Sequence, residues 1–172
     1  MIKEFTININ EDQLTNIKSK VEHYPWSSIE NMKAWTYGTN KKYLKELCDY
    51  WLKEFNWKKH EQLINSFKNY KTNVDGIDIH FIKEEGSGEN PKTLLLLHGW
   101  PGSVVEFLEI IKPLAHPEKF GGNIDDAFTV IAPSLPGFGF SGAPKEPIGP
   151  RKISGILNKM MIENLNYKKY VA

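Results

Sequence analysis

The chain has 172 residues, of which 40% are hydrophobic and 25% charged, with a formal net charge of +1. That length is enough for a domain with its own core, and the balanced charges exclude the basic footprint of a nucleic-acid binder. A single cysteine, Cys48, excludes an internal disulfide, and neither a signal peptide nor a bilayer-spanning run can be read from it, so a cytoplasmic location is expected.

Phe5, Ile7 and Ile9 alternate with polar residues and predict an opening strand. Asn10 with Gln13 marks a helix start, after which Leu14, Ile17 and Val21 share a face. A second start near Thr39 or Asn40 leads into the clearest helix of the chain. There Leu44, Leu47, Cys48, Trp51, Leu52 and Phe55 form a wide apolar stripe. A third helix is expected to carry Leu63, Ile64 and Phe67. Trp26, Trp35, Trp51 and Trp57 lie at helical or turn spacings and read as packing anchors.

Near Val74 the pattern becomes extended. Asp75-Gly76 is a hairpin-type turn, and Ile77, Ile79 and Phe81 alternate with Asp78 and His80 after it. Following the polar loop Glu85 to Pro91, the run Leu94 to Leu97 reads as a strand buried on both faces, as in a parallel sheet. It stops at His98-Gly99-Trp100-Pro101-Gly102. Ser103 and Glu106 then form a capping-box pair ahead of an apolar helix. Phe128 to Ala132 is another buried-type strand, and Ile153, Ile156, Leu157, Met160, Met161 and Leu165 mark a last helix. Strands alternating with helices call for a parallel sheet with helices against it.

Two motif matches fail on context. Gly137-Phe138-Gly139-Phe140-Ser141-Gly142 has the letters of a dinucleotide fingerprint, but prolines separate it from its strand and no helix opens after it. Ser141 lacks the strand and helix of a nucleophile elbow and reads as a loop serine bonded to local backbone. His98 reads as structural, because no acid or nucleophile in the motif completes a relay. The better functional candidate is backbone. A tight turn carrying Gly99, Gly102 and a donorless Pro101, expected in cis, leaves the Trp100 amide uncovered where a strand gives way to a helix. Such an amide, at the carboxyl end of a parallel strand and facing a cavity, is placed to bind developing negative charge.

Taken together, these residues resemble the amino-terminal part of an epoxide hydrolase of the microsomal and juvenile-hormone type, within the α/β-hydrolase superfamily. The blocks that carry the resemblance are Tyr43 to Leu47 with Tyr50-Trp51 and Phe55-Asn56-Trp57, then Ile77 to Phe81. Leu97 to Ser103 with Glu106-Phe107 and Ala132 to Ser141 follow. Asn56 and Asn164-Leu165-Asn166-Tyr167 are small departures. The resemblance implies an α/β fold: a helical N-terminal segment over 1–73, then over 74–172 the first part of an α/β-hydrolase core, truncated before the nucleophile elbow.

It also implies a chemistry. An aspartate opens the epoxide to an alkyl-enzyme ester, a His paired with an acid activates water to cleave it, and lid tyrosines polarise the epoxide oxygen. None of those residues is assigned in this chain. Only Trp100 carries over, as one N–H donor of the oxyanion hole, with His98, Gly99, Pro101 and Gly102 forming its turn. No cofactor and no metal is implied. The implied partners are a small apolar epoxide in the complete enzyme and a complementing C-terminal chain or self-association, with no nucleic acid and no membrane anchor. An epoxide hydrolase cut short and inactive alone is the leading reading. The alternative is a non-catalytic binding or interaction remnant of the fold.

Overall fold

A computed structural model describes residues 1–28 and 35–172. They form two compact units, one of Ile7–Gln62 and one of Met1–Thr6 with Leu63–Ala172.

The larger unit is built on a five-stranded sheet. Its strands are β1 (Ile2–Glu4), β2 (Asn69–Val74), β3 (Ile77–Glu84), β4 (Lys92–Leu95) and β5 (Phe128–Pro133), in the order β1-β2-β3-β5-β4. The sheet is mixed, which corrects the expected parallel one: only β4 and β5 run parallel, with Leu94 opposite Val130. Two connections explain this. Asp75 (φ 50°) and Gly76 (φ 84°) make the two-residue loop that turns β2 back on itself as β3. The loop after β3 reverses the chain again. A crossover through helix α4 (Leu108–Ala115) then brings β5 back parallel to β4 and between it and β3.

Helix α5 (Pro150–Lys159) starts with Pro150 at its first position, where a missing N–H costs nothing. It continues as a π-helical turn, Met160–Asn164. Ile156, Leu157, Met160 and Met161 cover one face of the sheet, packing on Val74, Ile79, Phe81, Leu95 and Ile131. Each such side chain, fully buried, contributes about 1.5–3 kcal/mol before the entropy of ordering is subtracted. A 3-10 turn, Val104–Phe107, leads into α4, which packs on β5 and buries Leu108, Ile111 and Ala115.

Two strand expectations are corrected here. The opening strand lies at Ile2–Glu4, ahead of the predicted Phe5 to Ile9, because the ladder ends when Phe5 N–H bonds Asn69 O. The leucine run is not buried on both faces. Thr93 and Leu95 are buried, Leu94 and Leu96 half-buried, and Leu97 is 44% exposed. The last ladder bond of this strand is Leu96 N–H to Ile131 O, so Leu97 lies beyond the sheet's cover. On the other edge of β4, Val171 forms a parallel bridge with Leu94.

The smaller unit holds α1 (Glu11–Glu22), α2 (Lys41–Lys53) and most of α3 (Trp57–Asn65). Asn10 and Asn40 cap α1 and α2 through their side chains, accepting the amides of Gln13 at 2.8 Å and Tyr43 at 3.1 Å. Glu61 ties α3 to the segment before α1. Its carboxylate accepts Ile9 N–H at 2.7 Å, Trp57 Nε1–H at 3.0 Å and Lys58 Nζ at 3.0 Å. The Ile9 bond above all, and then Lys58 and Trp57, hold its pKa below the usual carboxylate value against the opposing effect of burial.

The tryptophans divide. Trp57 anchors through Glu61 and Trp26 packs edge-on to Tyr24, but Trp35 and Trp51 are exposed and anchor no core. Nor does α2 bury any residue completely, so its wide stripe is only partly covered. Phe67 lies past the end of α3, in the turn where Phe67 N–H bonds Ile64 O.

Candidate functional site

The candidate site grows from the carboxyl end of β4. Once Leu96 has made its ladder bond, the chain leaves the sheet and His98 turns inward, 4% exposed. Leu135 N–H donates to His98 Nε2 at 3.0 Å, which leaves the ring proton on Nδ1, and Nδ1–H donates to Gly99 O at 3.0 Å. Phe138 closes edge-on over the ring at 5.5 Å. Both nitrogens are thus spent on backbone, and the imidazole straps the turn to the loop that follows β5.

Beyond the strap the turn opens. Trp100–Pro101 is cis, and Trp100 is 82% exposed. Its N–H has no acceptor among the described residues. A Cβ at Gly102 would meet Gly99 O at 3.0 Å and the tip of the Glu106 side chain at 2.1 Å, so a larger residue there would displace the capping carboxylate. Ser103 N–H donates to Glu106 Oε1 at 2.8 Å, and Ser103 Oγ accepts Val105 N–H at 3.3 Å. The capping pair commits the amides of Ser103 and Val105, while that of Trp100 stays uncommitted. A cavity of about 410 Å³ lies near β4, but Leu95, Leu97, Arg151 and Tyr170 line it and Trp100 does not.

The loop after β5 is held from below by a buried polar cluster that sequence reasoning did not find. His80, fully buried on β3, donates Nε2–H to Asn69 Oδ1 at 2.9 Å and accepts Ser134 Oγ–H on Nδ1 at 2.9 Å. The Asn69 orientation follows from its own Nδ2, which donates to Ile64 O and Phe67 O. Burial, reinforced by the Lys71 charge, pushes the His80 pKa down to about 3, so the ring is neutral. Ser141 is the loop serine expected: its Oγ accepts His80 N–H at 2.9 Å and donates to Ser134 O at 2.7 Å. Gly139 (φ 51°) passes so close that a Cβ would meet Ser134 Oγ at 2.7 Å. Gly139 of that letter-perfect fingerprint thus serves close packing on Ser134, and no helix begins there. The alternation of β3 placed His80 on one face. Its partners are distant in sequence, which is why the cluster left no local signal.

Among the described residues no group of His, Cys, Asp and Glu is placed to hold a metal ion. Among them, also, no helix is long and apolar enough to cross a membrane.

Residues 2–107 match the family described as epoxide hydrolase N terminus. The chain belongs to that family. Residues 92–171 match the alpha/beta hydrolase fold. The chain is 41% identical over 145 residues to a putative epoxide hydrolase of Stigmatella aurantiaca, covering 84% of this chain and 33% of that one. It is 36% identical over 173 residues to juvenile hormone epoxide hydrolase 1 of Ctenocephalides felis, covering 98% of this chain and 36% of the relative. Among solved structures, juvenile hormone epoxide hydrolase from the silkworm Bombyx mori superimposes with a TM-score of 0.83 at 32% identity. That match covers 99% of this chain and 40% of the silkworm chain. The epoxide hydrolase N-terminal chain thus spans about a third of the length of the curated relatives it matches.

Proposed function

We propose that this chain supplies the oxyanion-binding part of an epoxide hydrolase, which converts a small apolar epoxide and water to a vicinal diol through an alkyl-enzyme ester. One observation carries the reading. In a chain of this family, the Trp100 N–H stands uncommitted at the carboxyl end of β4, beside a turn strapped by His98. When water attacks an ester carbonyl, negative charge develops on its oxygen, and a preorganised donor there is worth about 3 kcal/mol. Residues 1–73 act as the family's N-terminal segment and 74–172 as the first part of its hydrolase core, in the cytoplasm. The aspartate, histidine and acid of the covalent mechanism are assigned to none of the 172 residues, and this reading takes them from a complementing C-terminal part of the enzyme, whether in the same chain or a second one.

The test follows diol formation from a small apolar epoxide. The chain is assayed alone and together with the C-terminal part of the Stigmatella relative. No turnover is expected alone, and turnover is expected on complementation. Trp100→Pro, which deletes the donor, lowers the complemented rate by about 10²–10³-fold. Trp100→Ala keeps the N–H and keeps most of the rate. Equal activity of Trp100→Pro and Trp100→Ala removes the donor assignment.

A further inference from the structure

At the end of β4 away from the His98 turn, three side chains from three segments meet. Ser87 Oγ lies 2.7 Å from His116 Nδ1, and His116 Nε2 lies 3.0 Å from Glu84 Oε1. Glu84 closes β3, Ser87 sits on the loop between β3 and β4, and His116 ends α4. The Glu84 carboxylate accepts Nε2–H, which leaves the Nδ1 lone pair for the serine proton. Nucleophile, base and orienting acid therefore stand in hydrogen-bonding order.

The loop is pinned. Ser87 N–H bonds Ala115 O at 2.8 Å, and Gly86 N–H bonds Thr129 Oγ1 at 3.1 Å. A Cβ at Gly86 would meet the Phe128 backbone at 2.6 Å, so only glycine brings the loop this close to β5. Two further observations point to a ligand. A cavity of about 270 Å³ opens beside the serine, lined by Ser87, Gly88, Glu89, Asn90, Ile124 and Asp125. On its wall, the amides of Gly88 and Glu89 have no acceptor among the described residues.

We propose that Ser87 is an activated nucleophile, with His116 as its base and Glu84 as the positioning residue, and that it takes the acyl group of a small ester. Ser87 Oγ bonds to the ester carbonyl carbon while its proton passes to His116 Nδ1. The carbonyl oxygen becomes negative against the free amides. The bond to the alcohol oxygen breaks, and the departing alkoxide takes the proton from His116. Water then repeats the sequence on the acyl-serine and releases the carboxylic acid. Glu89 and Asp125 on the wall, with Glu118 beside the serine, disfavour an anionic ester, so an uncharged or cationic one is the substrate class. Glu118 Oε1, at 3.0 Å, is the second acceptor for the one hydroxyl proton and competes with His116. This site is independent of the epoxide reading.

Diisopropyl fluorophosphate tests it on the 172-residue chain. Ser87 Oγ bonds to phosphorus, fluoride leaves with the P–F electron pair, and the proton goes to His116. Tryptic peptide Glu84–Lys92 contains no other hydroxyl side chain, so its mass locates the adduct. The expected result is a Ser87 adduct that is absent in Ser87→Ala, formed about 100-fold more slowly in His116→Gln, and not slowed in Glu118→Gln. The wild-type chain also turns over p-nitrophenyl acetate, and Ser87→Ala does not. Circular dichroism checks each variant. If His116→Gln loses the wild-type spectrum, Glu84→Gln reads the same relay through a roughly tenfold slowing. The proposal is overturned by a wild-type chain that neither labels nor turns over ester. It is equally overturned by labelling that a folded relay variant leaves unchanged, or by labelling that depends on Glu118 instead of His116.

Discussion

His80 shows how much one side chain can hold when burial decides its protonation. Neutral, it joins Asn69 on β2 to Ser134 on the loop after β5. Protonated, it would present two donors to partners arranged for one donor and one acceptor, and the charge would be fully buried. Its folded pKa of about 3 lies below the unfolded value of 6.5, so the unfolded chain binds the extra proton first. The stabilisation is complete above pH 6.5 and is lost as pH falls towards 3, by up to several kcal/mol in principle. Thermal unfolding midpoints measured across that window should fall steeply in the wild type. In His80→Gln, which keeps hydrogen-bonding groups but does not titrate, the slope should flatten. Parallel slopes in the two proteins would remove His80 from the account.

Caps and tethers decide the fate of whole elements. Glu61→Ala strips acceptors from Ile9 N–H, Trp57 Nε1–H and Lys58 at once, and leaving these partly buried donors without that acceptor costs about 1 kcal/mol. Loss of α1 and α3 helicity at a lower temperature than in the wild type is the expected readout. Ser103→Ala removes a weaker cap, worth about 0.5–2 kcal/mol, and should loosen the 3-10 turn and speed amide exchange at Val105. Elements with such local chemistry were legible in sequence. Asn10 and Asn40 cap where their side chains suggested, Asp75-Gly76 turns, and Ser103 pairs with Glu106. β2 was not legible, because Asn-Tyr-Lys-Thr-Asn-Val lacks a clean alternation and becomes a strand only by pairing with β1 and β3. Sheet direction was equally hidden, since it depends on where β5 inserts. At the candidate site the turn and the exposed amide could be read from glycines and proline. The His98 strap needed Leu135, thirty-odd residues away, and no local rule points there.

At the scale of the molecule, the exposed apolar surface is the dominant fact. Leu47, Tyr50 and Trp51 on α2 and Leu97 beyond β4 are each more than 40% exposed. Apolar surface left in water costs about 25 cal/mol per Å², against a net stability of only about 5–15 kcal/mol for whole domains. The 172-residue chain should therefore self-associate, and sedimentation velocity should show species heavier than a 19.8 kDa monomer at micromolar concentration. A sharp monomer boundary that unfolds cooperatively would refute this. The strand order has one more consequence, in time. Because β5 lies between β3 and β4, the leucine run has no neighbour in the sheet until Phe128–Pro133 has been made. At about 5–20 residues per second, a nascent chain carries four adjacent leucines unpaired for roughly 2–7 s after they leave the ribosome. Residues 94–97 are the segment a ribosome-bound chaperone should crosslink to, and that contact should vanish as soon as β5 emerges.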